Sequence, residues 1–441
     1  MPFRSGSISY ALFRVSSAGG SEPLAPPTSA ADAASLLDRL AEHTLKESGI
    51  GEPQPMEFGW CGGRHVLDEA FDLEHVVFDD GLLFGLRVDV NRIPGEIRRA
   101  YLAQAQQAMA TDGQPYLSKR EKAAAREEAE ARCREDLAAG KYRRSKMVEV
   151  LWDVARGVVL APAFGDAIVG GLRDLFFETF DLRLSPLSSG ALAFDVLSKR
   201  GRGRDYEELK PSVFTPPPAG VNEGDGAEGG GAGERGGDGR PPVPWAHVSP
   251  EPSDFVGNEF LLWLLWQVAE RGGEISTEAG DVAVVIERVL DMECPWGVTG
   301  KQGLQSAGPG QSPEARRGLL NGKWPRKAGL LVSLDGEQWS CTLQADRLLV
   351  TGLKAPAPEE APGSPRELIE WRLASLRRFN EALGGLFARF LDDRAGSAWA
   401  TPRQKISAWI RGERAGRAEA DAGVAVIETK PGAGAGLRAR V

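Results

Sequence analysis

The sequence predicts an α+β fold: antiparallel sheets with packed helices and a projecting helical hairpin. Three observations predict it. Apolar residues alternate in SISYALFRV (7–15) and LLFGLRVDV (82–90), the period of half-buried strands. They recur at helical spacing in ADAASLLDRLAEHTL (31–45) and FGDAIVGGLRDLFFETF (164–180). Between the strands lies YLSKREKAAAREEAEARCREDLAA (116–139), which almost lacks large apolar residues. A core cannot cover such a helix on all sides, so it stands in solvent.

Taken in order, Ile8, Tyr10 and Leu12 share one face of the first strand, and Leu36, Leu37, Leu40 and Leu45 form the apolar side of the first helix. The strand at 82–90 stops before Ile93-Pro94, because the residue preceding proline disfavours helix. Pro94 opens a helix, TDGQP turns the chain, and the charged helix runs to a stop at Gly140. VEVLWDVARGVVLAPA (148–163) gives two strands around an Ala-Arg-Gly turn, and the next helix offers Ile168, Leu172, Leu175 and Phe176. These elements make an N-terminal α+β domain, 1–212, with a finger at 92–147.

Residues 213–250 read as a disordered Gly/Pro linker, since they hold no periodic apolar pattern. A C-terminal α+β domain follows at 251–411: a Trp-rich helix (258–270), a strand (282–292), a polar loop (297–313), and strands within 328–353 that turn at Asp335-Gly336. The helix at 366–394 closes it. Ile369, Leu373, Leu376, Leu383, Phe387 and Phe390 line one face, and Arg372, Arg377, Arg378 and Arg389 occupy the rest. Residues 412–441 read as a disordered tail.

Composition excludes several classes. With 441 residues, 42% hydrophobic and 26% charged, the chain is long enough for two or three cores. Its start is not a signal sequence, and its longest apolar run, FLLWLLW (260–266), is too short to span a bilayer. Cys61, Cys133, Cys294 and Cys341 form no CxxC pair, and four scattered histidines offer no ligand spacing. GVTGKQG (297–303) fails the P-loop spacing, and GxSxG is absent. The expectation is a cytoplasmic, non-enzymatic binding protein with no metal or cofactor.

Charge is the more informative property. The net charge is -9, yet 92–146 holds thirteen Lys/Arg against eight Asp/Glu, about +5. GKYRRSK (140–146) sets Lys141, Arg143, Arg144 and Lys146 around Tyr142, and Lys119, Lys122 and Arg126 lie on the charged helix. Two more clusters are KRGRGR (199–204) and RRGLLNGKWPRK (316–327), the latter containing Lys323, Arg326 and Lys327. Each patch taken alone reads as a solubilising surface; three together point to a polyanion. An acidic exterior does not forbid this, because charge is screened over ~8 Å at physiological salt. Tyr142 has two readings, a ring packed on its own domain or one that stacks on bases while cations hold the backbone.

The order of several segments resembles the recombination-associated protein RdgC family of bacteria. SGSISYALFRV (5–15), FGW (58–60), RIP (92–94), LSKREK (117–122), LWDVARGVVLA (151–161), RLSPLSSG (183–190), GKQGL (300–304) and LLNGKWPRKAGLLV (319–332) carry the likeness, over about 5–355. It is dispersed, with no single diagnostic signature.

The resemblance implies a ring-shaped homodimer around a positively charged hole. It implies nonspecific binding of double-stranded DNA in the nucleoid, and competition with RecA recombinase. It puts the aromatic tip of the finger on Tyr142, with Lys141, Arg143, Arg144 and Lys146 on phosphates. It also puts a ring-closing contact on Lys301 and Gln302. The 215–250 insertion and the 366–394 helix depart from compact members, and a tyrosine hydroxyl is harder to bury between bases than phenylalanine. The competing readings are a module for an acidic protein partner, and a nuclease.

Overall fold

The computed structural model describes residues 2–17, 30–45, 54–79, 81–110, 117–163, 165–216, 251–358 and 360–413. The chain is α+β, with thirteen strands among the described residues in one antiparallel sheet.

The first half contributes β1 (Ile8–Ser17), α1 (Ala30–Glu42), β2 (Met56–Cys61), α2 (Leu73–Val76), β3 (Val77–Phe78), β4 (Gly81–Asn91), α3 (Gly95–Met109) and α4 (Lys119–Ala138). It continues with β5 (Arg143–Asp153), β6 (Val158–Ala161), α5 (Asp166–Phe180), β7 (Leu182–Pro186), α6 (Ser189–Lys199) and α7 (Gly203–Glu207). The second half has α8 (Phe255–Arg271), β8 (Glu274–Thr277), β9 (Gly280–Glu293), β10 (Gln302–Ser306), α9 (Pro313–Leu320), β11 (Trp324–Leu334), β12 (Glu337–Gln344), β13 (Leu349–Lys354), α10 (Pro365–Arg394) and α11 (Ala400–Arg411).

Strand order along the sheet is β10-β9-β11-β12-β13-β1-β6-β5-β4-β2. β1 is the seam. Its first residues pair with β13 (Ile8↔Leu353, Tyr10↔Val350), and Ala11–Arg14 pair with β6. The segments expected as two domains therefore share one sheet. They also share a core, since Phe3, Ile8, Tyr10, Phe78 and Leu83 pack in the same cluster as α8 and α10. Phe214, inside the expected linker, is buried there too and meets Trp324 and Trp399 edge-on. The rest of that linker, from 217, and the expected tail from 414 lie outside the described residues.

A second core lies under α1 and α5. Trp60, Phe84, Trp152, Phe176 and Phe180 interlock as edge and tilted pairs, with Trp60 and Phe84 centroids 5.1 Å apart. The Trp60 indole donates to Thr179 at 2.7 Å, which satisfies its only polar atom. α5 approaches β2 so closely that a Cβ on Gly171 would sit 2.2 Å from the Phe58 ring.

α10 crosses both halves, and its arginines are internal ties. Arg372 donates to the carbonyls of Phe3 and Pro2 at 2.9 Å, and Arg377 reaches Asp153 at 3.2 Å. Arg378 pairs with Glu337 at 2.8 Å, and Tyr10 donates to Asn380 at 2.5 Å. The 297–313 stretch, expected as loop, contains the edge strand β10. QGLQS has weak intrinsic strand preference; pairing with β9 creates the strand. The Asp335-Gly336 turn holds as expected, with both residues at positive φ (49° and 84°) between β11 and β12. Among the described residues no helix is long and apolar enough to cross a membrane.

One loop gives a pH prediction. Asp68, its side chain only 3% exposed, accepts from Arg64 Nε at 2.9 Å and Nη2 at 2.8 Å, and from the Arg64 and Ala70 amides. Burial alone would raise its pKa, but these donors outweigh it and hold the carboxyl at about 2. A depressed carboxylate stabilises above its unfolded pKa, and the effect is lost as pH falls through the folded value. About 2 kcal/mol of stability should thus disappear between roughly pH 4 and pH 2. Urea unfolding from pH 5 to 2 checks it: Asp68→Asn should remove that component of the acid loss, and an unchanged pH profile would contradict the assignment.

Candidate nucleic-acid interface

α3 and α4 form an antiparallel pair, as the contacts Tyr101–Asp136 and Gln104–Arg132 require. Small residues let them approach: Ala105 on α3, and Ala125, Ala129 and Cys133 one turn apart on α4, are the buried positions. Among the described residues neither helix packs extensively on any other element. α4 opens with a capping box in which Ser118 and Glu121 exchange hydrogen bonds, so the one carboxylate of its first two turns is committed to the cap.

Charge is unevenly spread along α4. Residues 119–126 carry four cations and one carboxylate, whereas 127–138 carry two cations and five carboxylates. Lys119, Arg120, Lys122 and Arg126 are exposed, and none has an ion-pair partner among the described residues. At about 100° per residue, Lys119, Lys122 and Arg126 fall within about 60° of one another around the helix. This unpaired stripe lies on the half of α4 away from the sheet.

GKYRRSK lies at the opposite end. Arg143 opens β5 and pairs with Asn91, the last residue of β4, so Tyr142 stands where the helical pair joins the sheet. The tip position given by the resemblance is corrected: the far end is at Met109 and Lys119, and 111–116, which joins them, lies outside the described residues. The chain has already returned to the sheet by residue 143, which the charge pattern alone could not reveal.

The basic residues there have internal partners. Glu57, Asp89 and Ser145 form a row across β2, β4 and β5. Arg143 bridges the two carboxylates, 2.5 Å from Glu57 and 2.9 Å from Asp89, and Arg87 grips Asp89 from the other side at 2.8 and 3.0 Å. The Asp89 side chain is fully buried, which by itself would raise its pKa. Hydrogen bonds from Arg87 and Ser145 reverse that and hold it below the usual range. Lys141 lies 3.2 Å from Asp136 and 3.3 Å from the Tyr101 hydroxyl, contacts that raise its pKa, and its ammonium sits 5.4 Å from the Tyr142 ring centroid. Tyr101 donates to Asp136, and that bond pushes its own pKa up to about 12. Tyr142 is half-buried and also bonds Tyr101. Arg144 and Lys146 are exposed, on the face of β5 that farther along carries Val148, Val150 and Trp152.

The second-half residues gather at the β9–β10–β11 edge. Lys301 lies 3.5 Å and Arg326 3.9 Å from Glu293, and Arg326 pairs with Asp346 at 3.1 Å. Lys323 donates to the Gln302 amide oxygen at 3.2 Å, and Gln302 donates to the Glu314 carbonyl at 3.3 Å. Lys327 is half-buried on β11. In KRGRGR, Arg200 binds Glu278 and Asp392, and Arg202 binds Asp205.

Arg120 and the acidic partners Glu57, Asp89 and Asp136 are not among the site residues expected from the sequence. A signal existed for Asp89: one carboxylate between valines in a buried strand needs a cation. No protein-family model matches this chain, and no curated protein sequence matches it.

Proposed function

We propose that this chain is a non-catalytic protein that binds double-stranded DNA without sequence preference, through the outer half of α4. The carrying observation is the group Lys119, Arg120, Lys122 and Arg126: four exposed cations without ion-pair partners among the described residues, three of them in one stripe, on helices that among those residues pack mainly on each other. Such a surface neutralises phosphates and releases their counterions, which favours any sequence alike. Arg144 adds a cation at the base of the pair.

In this reading the protein acts in the nucleoid as a homodimer. It modulates homologous recombination by occupying duplex that a RecA-type recombinase needs; the resemblance to the RdgC family supports that part. Fluorescence anisotropy of a labelled random-sequence duplex, titrated at several salt concentrations, tests the binding. Affinity should fall steeply and linearly on a log–log plot against salt. Absence of binding at low salt would overturn the reading.

A further inference from the structure

The tight ion pairs at the base of the helical pair have a consequence for where its outer end points. α4 has 20 residues, so the pair reaches about 30 Å, and a tilt of about 10° at the base would move its outer end by about 5 Å. Among the described residues neither helix packs extensively on any element but the other, so little else there holds that angle. Three contacts do. Asn91 Nδ2 donates to the Leu137 carbonyl at 2.9 Å, tying the last turn of α4 to the end of β4. Lys141, Asp136 and Tyr101 join the chain after α4 to both helices. Arg143 locks the first residue of β5 to Glu57 and Asp89. Glu57 and Asp89 are directly opposed like charges, an arrangement that is unfavourable unless a cation lies between them.

We propose that Glu57, Asp89 and Arg143, with Asp136, Tyr101 and Lys141, form a clamp that sets the direction of the helical pair, and that the carboxylates of this clamp are positioning residues for DNA binding. The proposal rests on the DNA-binding reading and adds a sign that charge alone does not give. Removing a carboxylate from an acidic protein ordinarily strengthens its attraction to a polyanion. Here Glu57→Gln weakens binding, because Arg143 exchanges one of its two charged anchors for a neutral amide that holds it less firmly. Arg143→Lys leaves the net charge unchanged and weakens binding too, since a lysine cannot bridge two carboxylates with a planar fork.

The experiment compares wild type, Glu57→Gln and Arg143→Lys by duplex anisotropy against salt and by amide hydrogen exchange. Both variants should bind at least about threefold more weakly and lose about one unit of log–log salt slope, equivalent to one phosphate contact. Amides of α3 and α4 should exchange faster while those of β4 and α5 stay protected. Tighter binding by Glu57→Gln together with unaltered binding by Arg143→Lys would overturn the clamp, leaving charge alone as the rule. If either variant fails to fold, Asp136→Asn, on the helix side of the clamp, carries the same test. Wild type that binds no duplex would instead sink the DNA-binding reading and this role with it. Exchange would then decide separately whether the clamp holds the helices: unchanged protection in α3 and α4 would refute it.

Discussion

Replacing Arg394 by methionine should lower the stability of the fold by about 3–5 kcal/mol, the typical result of stranding one partner of a buried ion pair. Arg394 is the last residue of α10, 6% exposed, and its Nε binds Glu259, whose side chain is fully buried on α8. Its Nη2 donates to the Lys210 carbonyl at 2.6 Å, and its guanidinium centre lies 5.2 Å from the Trp399 ring centroid. Glu259 uses its other oxygen to accept from the Ser212 amide at 2.6 Å. Four segments meet at this pair. Without the guanidinium, Glu259 would be an uncompensated charge inside the larger core. Urea unfolding of wild type, Arg394→Met and the double variant Arg394→Met/Glu259→Gln measures it. The double variant should recover a large part of the loss, because a neutral amide still accepts from Ser212. A single-variant loss below about 1 kcal/mol would mean that water reaches the site and that the pair behaves as a surface pair.

The second large effect concerns binding. Lys119→Glu/Lys122→Glu/Arg126→Glu should weaken duplex affinity about a hundredfold at 0.15 M salt, and the log–log slope should shrink by about 2.7. Each phosphate contact contributes a slope of about 0.9, so at 0.15 M it is worth about five- to sixfold relative to 1 M, and three such contacts multiply. The fold should be unaffected, since these side chains are exposed and form no ion pairs among the described residues. Reversing Arg143 is a different experiment. It would set a third carboxylate beside Glu57 and Asp89, and a loss of binding would then report on the base of the helical pair. Full binding by the triple variant at unchanged slope would place the interface elsewhere.

Much of the local structure was legible in the sequence. Leu36, Leu37 and Leu40 announced α1, and the alternation in LLFGLRVDV announced β4. The run of Ala, Glu, Lys and Arg announced a helix that no core covers, and α4 buries only Ala125, Ala129 and Cys133. Asp335-Gly336 named its own turn. Each of these features is fixed by neighbours within a few residues, through side-chain periodicity and allowed φ/ψ, so a linear pattern suffices.

The tertiary structure alone decided the rest. The pairing of β1 with β13 makes one sheet of what read as two domains, because strand pairing across nearly the whole described chain leaves no mark in local periodicity. β10 is a strand only because β9 is beside it. The cations were visible from the start, but their partners were not. Arg143, Arg200, Arg326 and Arg377 are ion-paired across distant segments, while Lys119, Lys122 and Arg126 have no ion-pair partner among the described residues. A count of charges gives the field a distant phosphate would meet. Whether a given cation can leave its place to meet it depends on the carboxylates within about 4 Å, and folding alone brings those together.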